Sequence, residues 1–200
     1  GFEIRPFLVE FRNPKVEADF LRHHLPKTQS QLRQALVFCS FFYVAFALTD
    51  VAVLGYGKQA LMLFLFRLSV AATALLSIFM VFRHPTSLKV PPVAATIVEI
   101  VGMATFMLIV VYRFAEMPWH GMSISIMLIV VYLFIPNRLL NAMAVTIAST
   151  IVFIYLAFKV GNLSGADKVT LSMLLLLLNT FGAVSARRYQ RIWREEFRAQ

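Results

Sequence analysis

The chain has 200 residues, of which 60% are hydrophobic and 14% charged, with a formal net charge of +9 and a mean hydropathy of +0.75. This composition leaves too little polar surface to cover an ordinary soluble domain and predicts a membrane protein. The lysines and arginines cluster between apolar blocks and at the two ends, where they suit anionic lipid headgroups, so we expect membrane lipids and no nucleic acid as partners. The single cysteine, Cys39, excludes a disulfide framework.

Residues 1–32 are predicted to form a polar, amphipathic lead with no cleavable signal peptide. Asn13 and Pro14 favour a helix start, with asparagine as the cap and proline in the first turn. The apolar positions repeat on one face as far as Pro26. We therefore expect a short amphipathic helix on the inner membrane surface or across the cytoplasmic mouth of the bundle, as an anchor or as a regulatory element. The apolar residues of that face are Val16, Phe20 and Leu21.

A bundle of membrane-spanning helices is predicted over residues 33–186. A helix needs ~20 mostly apolar residues to cross a bilayer. Between the fourth and fifth spans, Pro136 followed by Asn137 favours a turn, although one long fused helix is the alternative. The six predicted spans are 33–54, 59–82, 91–112, 119–135, 139–158 and 169–186.

The basic residues predict the orientation of these spans. With the N-terminus inside, the outer segments hold only Lys58, Arg113, Lys159 and Lys168, whereas the inner segments hold nearly all the other lysines and arginines. Cytoplasmic loops of membrane proteins carry this excess of positive charge. The predicted fold is therefore an all-α polytopic membrane protein with both termini cytoplasmic.

Three ionisable residues, Asp50, Arg67 and Glu99, lie inside the predicted spans. Charges at such positions cost at least ~2.5 kcal/mol each and usually find partners. A long arginine side chain can reach outward, so we predict a salt bridge from Arg67 to Asp50, as a structural staple or as the lining of a ligand pocket. We expect Glu99 to be protonated, to form a hydrogen bond with Asn179 or Ser172 on the last helix, or to face a water-filled cavity.

The outer segment "RFAEMPWHGM", residues 113–122, concentrates polar and aromatic side chains. Such residues at a membrane boundary are typical of interfacial anchors, and ligand contacts are the alternative. His120 also suggests a sensor of external pH. The candidates on this outer surface are Arg113, Glu116, Trp119 and His120.

No pattern typical of an enzyme is found in these residues. The four histidines are all predicted in flanks or loops, so we expect no haem, no metal and no other cofactor. No phosphate-binding loop or nucleophile elbow is present. We expect this part of the protein to be non-catalytic.

The segment "SARRYQRIWREEFRAQ", residues 185–200, contains no glycine or proline and is predicted to continue the sixth span into the cytoplasm. Its apolar residues repeat at helical spacing on a charged rod, which favours a partner helix. We expect residues 187–200 to begin a signalling helix that pairs in a homodimer, with a further domain after Gln200. The apolar stripe consists of Tyr189, Ile192, Trp193 and Phe197.

Residues 20–50 resemble the start of the six-helix membrane (MASE-like) modules that precede bacterial diguanylate cyclase (GGDEF) and class III adenylate cyclase domains. The matching features are a basic lead with Arg33, an aspartate closing the first span (Asp50) and an arginine in the second (Arg67). Residues 187–197 similarly resemble the arginine-rich helix that leads into the cyclase. The resemblance implies a homodimer in the bacterial inner membrane that passes a small hydrophobic signal to a cyclase.

The leading hypothesis is therefore a membrane anchor and sensor of a dimeric nucleotide cyclase. A histidine kinase is another dimeric effector that this exit helix suits. A small transporter or channel subunit would instead use Asp50, Arg67 and Glu99 as a polar path. An integral-membrane lipid enzyme would need an acidic or histidine cluster, which the sequence lacks.

Overall fold

The computed structural model describes residues 1–200, and its regular structure is helical throughout. A 3₁₀ turn (Phe114–Glu116) and a π turn (Val130–Phe134) flank the fifth helix. The seven α-helices are α1 (Pro14–Ala45), α2 (Ala47–Leu54), α3 (Lys58–Arg83), α4 (Val90–Tyr112), α5 (Met117–Ile129), α6 (Leu139–Val160) and α7 (Gly165–Ala199).

Six helical segments are long and apolar enough to cross a membrane, as the sequence predicts, and indicate a multi-pass membrane protein. They are Pro14–Leu54, Lys58–Arg83, Val90–Tyr112, Phe114–Phe134, Leu139–Val160 and Gly165–Ala199. We use the name terminal end for the end of the bundle that carries residues 1–13 and the last turns of α7. The opposite end, which carries residues 113–116, is the distal end.

The first segment differs from the prediction in the position at which its helix is interrupted. The expected end of the amphipathic helix at Pro26 is wrong, because α1 runs through this proline without interruption. One proline removes a single backbone donor, and no glycine follows it to end the helix. The start is as expected, since the Asn13 side chain accepts a hydrogen bond from Lys15 N at 3.0 Å. The helix is interrupted at Phe46 instead, between α1 and α2.

The fourth and fifth spans are separate helices, so the fused alternative is wrong. The π turn closes with Ile135 N donating to Val130 O at 3.0 Å, and residues 136–138 then form the predicted connection. Pro136 has no N–H to continue the helix, which explains the break at this position.

The last helix is continuous, as predicted. α7 extends for 35 residues from its N-cap, Ser164, whose side chain accepts a bond from Asp167 N at 3.1 Å. It therefore joins the distal end to the terminal end and carries the apolar stripe on its final turns.

The core surrounds α4, the helix with the largest buried share. One apolar cluster lies toward the distal end and includes Phe106, Ile124 and Phe153. A second lies toward the terminal end and includes Leu36 and Val98. The outer faces of the helices expose large apolar side chains, as lipid-facing surfaces do.

Candidate functional site

The expected ion pair between Asp50 and Arg67 is present at the distal end. Arg67 donates from Nε to Asp50 Oδ2 at 2.7 Å and from Nη2 to Oδ1 at 3.1 Å. Arg113 is a third member, donating from Nη1 to Asp50 Oδ1 at 2.8 Å. The Asp50 carboxylate is 0% exposed, so α2, α3 and the segment after α4 meet on one fully buried group.

The interruption of the first span helps to position this pair. Arg67 Nη1 donates to Tyr43 O at 3.0 Å, the carbonyl that a continuous helix would use for the amide four residues later. The Tyr43 hydroxyl in turn donates to Gly102 O on α4 at 2.7 Å. The break at Phe46 thus coincides with a backbone acceptor for the buried arginine.

Arg113 and His120 are buried, which corrects their expected position in an exposed outer loop. Arg113 donates to both carboxylate oxygens of Glu116, at 2.9 and 3.0 Å, and to Thr49 Oγ1 at 2.8 Å. His120 Nε2 donates to Arg113 O at 2.7 Å. The segment is helical because Pro118 suits the first turn of α5. Trp119, 66% exposed, is the candidate left at the surface as an anchor would be.

We refer to these residues together as the distal charge cluster: Asp50, Arg67, Arg113, Glu116 and His120. Its two carboxylates and two guanidinium groups balance in charge, and every guanidinium nitrogen has a partner. A buried ion pair is tolerated when hydrogen bonds satisfy its remaining groups. This geometry favours a structural staple over the lining of a ligand pocket.

Glu99 belongs to a second, separate polar group. Its Oε2 accepts a bond from Asn137 Nδ2 at 3.2 Å, and the same amide donates to Thr96 Oγ1 at 3.0 Å. Its Oε1 is buried and has no hydrogen-bond partner. The expected partners Asn179 and Ser172 are wrong, because Asn137 in the turn before α6 occupies that place.

Asn179 instead joins α7 to the centre of the bundle. Its Oδ1 accepts from the Tyr132 hydroxyl at 3.0 Å, and its Nδ2 donates to Thr150 Oγ1 at 2.8 Å. Tyr132 also accepts from Thr146 Oγ1 at 2.6 Å. These neutral groups satisfy one another, so Asn179 acts here as a packing contact for α7.

The terminal end has its own buried ion pair, which the sequence pattern does not predict. Arg194 of α7 pairs with Glu17 of α1, donating from Nε to Oε2 at 3.1 Å. Phe11 N donates to the same carboxylate at 2.8 Å, and the Arg194 guanidinium lies 4.4 Å from the centre of the Phe20 ring. Both residues lie in sequence segments that contain several other charged residues. The sequence alone therefore does not distinguish them, and only the tertiary structure shows that they pair.

Aromatic rings surround this ion pair. Trp193 stacks on His24 with centroids 5.2 Å apart, and Lys27 Nζ lies 4.2 Å from the Trp193 ring. Phe197 packs edge-on against Phe20 at 5.6 Å. We call this contact the terminal clamp: Glu17, Phe20 and His24 of α1 with Trp193, Arg194 and Phe197 of α7.

The terminal clamp divides the apolar stripe into two parts. Trp193 and Phe197 pack against α1 and are partly buried, whereas Tyr189 and Ile192 remain about half exposed, at 48% and 51%. Only the second pair is therefore free to meet another chain while the clamp is closed.

Residues 1–13 are held against the same end of the bundle. Arg138 donates to the Glu10 carboxylate at 2.9 Å, and Arg187 donates to Pro6 O. Val9 is buried with φ at 58°, a strained conformation for a β-branched residue that packing must hold in place. The lead is thus a folded part of the terminal end.

No three side chains of His, Cys, Asp or Glu come together as they would to hold a metal ion.

Comparison with protein-family models, with curated proteins and with solved structures finds no match for this chain.

Proposed function

We propose that this chain is the membrane-embedded regulatory module of a homodimeric bacterial signalling protein, in which α7 transmits a change of helix packing to a nucleotide cyclase. The observation that carries the proposal is α7 itself. It extends over 35 residues without a break, and its final turns are held by the terminal clamp on one face and exposed on the other.

The exposed face of α7 supports a homodimer. Apolar side chains recur along it at intervals of three, four or more residues, as in a helix that packs against a second copy. Beyond the apolar bundle, Ile192 and Tyr189 lie among arginines, where water makes an exposed apolar pair unfavourable. The apolar residues of this face are Leu174, Leu177, Phe181, Val184, Tyr189 and Ile192.

The terminal clamp supplies two arrangements for a signal to select. While Glu17 holds Arg194, the end of α7 is tied to α1 of its own chain; once released, Trp193 and Phe197 become available to the dimer. A signal acts by binding one arrangement more tightly than the other. The excess of basic residues at the terminal end supports placing it in the cytoplasm, under the inner membrane.

A cleft at the terminal end is the proposed place for a small hydrophobic signal. It is an open cleft between α1 and α3 with a volume of about 360 Å³. Its apolar walls and one basic residue suit an apolar molecule with a polar or anionic head. The lining residues are Gln29, Leu32, Arg33, Ile78, Val81, Phe82 and Pro85.

Cysteine cross-linking of the natural full-length chain in its own membrane tests the dimer. In a Cys39→Ser background, Ile192→Cys should form a disulfide-linked dimer on mild oxidation, because the two α7 helices would meet on this face. The matched control is Arg198→Cys, which is also exposed on the same helix but is rotated well away from Ile192. Equal cross-linking at both positions, or none at either, would contradict the proposed interface.

Trp193→Glu tests the output. It should weaken the terminal clamp and change the activity of the attached effector, measured as cyclic nucleotide formation, with autophosphorylation as the assay for a histidine kinase. Unchanged output in both assays would contradict signal transmission through α7.

Transport is the less supported candidate. Such a path would use Asp50, Arg67 and Glu99 in sequence, yet Glu99 shares no hydrogen-bond partner with the distal charge cluster. A flux assay in vesicles that contain the purified chain distinguishes the two functions.

A further inference from the structure

We propose that Glu99 is a proton-binding site in the interior of the bundle, and that its occupancy is relayed through Asn137 to Gln190 on α7.

Glu99 is remote from both ends of its helix. It lies nine residues into α4, about 14 Å along the axis from Val90, and is 3% exposed. The adjacent residue on α4, Val98, belongs to the apolar cluster toward the terminal end. Water therefore has little access to the carboxyl group.

The number of donors distinguishes Glu99 from Asp50. An ionised carboxylate can accept about four hydrogen bonds. Asp50 receives three from two arginines, whereas Glu99 receives one, from the neutral amide of Asn137. The second oxygen of Glu99 receives none. A buried charge with so little compensation is costly, and taking up a proton removes the charge.

No cation is in place to balance Glu99 instead. The Cys39 thiol on α1 is near enough to Glu99 to interact with it electrostatically, but a thiol supplies no positive charge. In the connection before α6, Arg138 forms an ion pair with Glu10. On α3, Arg67 is engaged by Asp50 and Arg83 is exposed at the last turn. On α1, Arg33 is exposed and the Tyr43 hydroxyl is bound to Gly102 O. Tyr132 is bound to Asn179, Tyr155 of α6 is exposed, and Lys159 lies at the distal end of α6.

Asn137 connects this carboxyl group to α7. Its side-chain amide donates to Glu99, and its backbone carbonyl accepts from Gln190 Nε2 at 3.0 Å. A hydrogen bond to an ionised carboxylate is shorter and stronger than one to a neutral acid. Loss of the proton should therefore draw Asn137 toward α4 and strain its bond to α7. The neighbouring π turn is an irregular segment that can absorb such a shift. This relay rests on the proposed function of α7, whereas proton binding does not.

Infrared spectroscopy of the full chain in lipid vesicles tests the proton site. We expect a carbonyl stretch of a protonated carboxylic acid that persists at neutral pH, after the exposed carboxyl groups have ionised. Glu99→Gln should remove this band, and the control Glu195→Gln, at an exposed ion pair, should keep it. Absence of the band in the unmodified chain, or its survival in Glu99→Gln, would overturn the proposal.

A second measurement needs no variant, in case Glu99→Gln does not fold. Dicyclohexylcarbodiimide is an apolar reagent that modifies protonated carboxyl groups, so mass spectrometry should find it on Glu99 at neutral pH. Labelling of other carboxyl groups while Glu99 stays unmodified would overturn the proton site.

Hydrogen exchange tests the relay. Exchange in residues 187–200, corrected for the intrinsic pH dependence, should rise several-fold as the infrared band disappears, and Glu99→Gln should abolish this coupling. If the band titrates while exchange in α7 does not respond, the relay is wrong and the proton site stands. A failed cross-link at Ile192 would count against the dimer alone.

Discussion

The two ends of the molecule both bury an arginine–carboxylate contact, but they differ in what the contact joins. The distal charge cluster ties together spans that are neighbours in the chain and satisfies Asp50 with two arginines. The terminal clamp joins Glu17 to Arg194, separated by 177 residues, with one ion pair and a set of rings at the rim of the bundle.

This difference predicts that the terminal clamp opens more readily than the distal charge cluster. Opening the distal charge cluster would leave two arginines unpaired in an apolar interior, which is severely unfavourable. Opening the terminal clamp exposes its charges to water at the end of the helix bundle, so the loss is local. The two kinds of contact lie at opposite ends of the molecule.

The largest expected effect comes from breaking the distal charge cluster with Asp50→Asn. The isosteric change removes the charge that Arg67 and Arg113 share, and we expect a loss of about 3–5 kcal/mol in the free energy of unfolding. Thermal unfolding in detergent and the yield of folded protein measure it. The control Thr49→Val, which removes one neutral acceptor of Arg113, should cost about 1 kcal/mol. Equal stability of the two variants would contradict a central role for Asp50.

An intermediate effect is expected where the body of α7 meets the bundle. A Cβ atom at Gly182 would lie 2.5 Å from Tyr132 Cδ2, so Gly182→Ala should displace the tyrosine ring and cost about 1–3 kcal/mol. The control is Gly165→Ala at the start of the same helix, where an added Cβ meets nothing within 4 Å. Differential unfolding of the two variants measures this, and a neutral Gly182→Ala would show that α7 is loosely held along its whole length.

The smallest global effect is expected at the terminal clamp. Glu17→Gln should release the end of α7, raising hydrogen exchange in residues 187–200 several-fold, while the midpoint of thermal unfolding changes little because the opening is local. The control Glu195→Gln breaks an exposed pair with Arg191, worth about 0.5 kcal/mol, and should leave exchange near that of the unmodified chain. Global unfolding by Glu17→Gln would place both ends in one cooperative unit and remove the distinction.

The sequence by itself determined the features that depend on local pattern. Runs of apolar residues predict the six spans, because a helix in hydrocarbon must be apolar along its length. Counting the rise per residue places Asp50 and Arg67 at compatible depths, since consecutive helices are neighbours and their connection is short. The continuity of α7 follows from the lack of glycine and proline near its end.

Only the tertiary structure decided which distant side chains meet. Arg113 reaches Asp50 across 63 residues, Glu99 finds Asn137 rather than Asn179, and Trp193 faces His24 of its own chain. These contacts depend on the order in which the helices surround α4 and on the rotation of each about its axis. Hydropathy constrains the depth of a residue in the membrane but leaves the choice among neighbouring helices to side-chain packing, which is the physical reason that the terminal clamp could not be read from the chain.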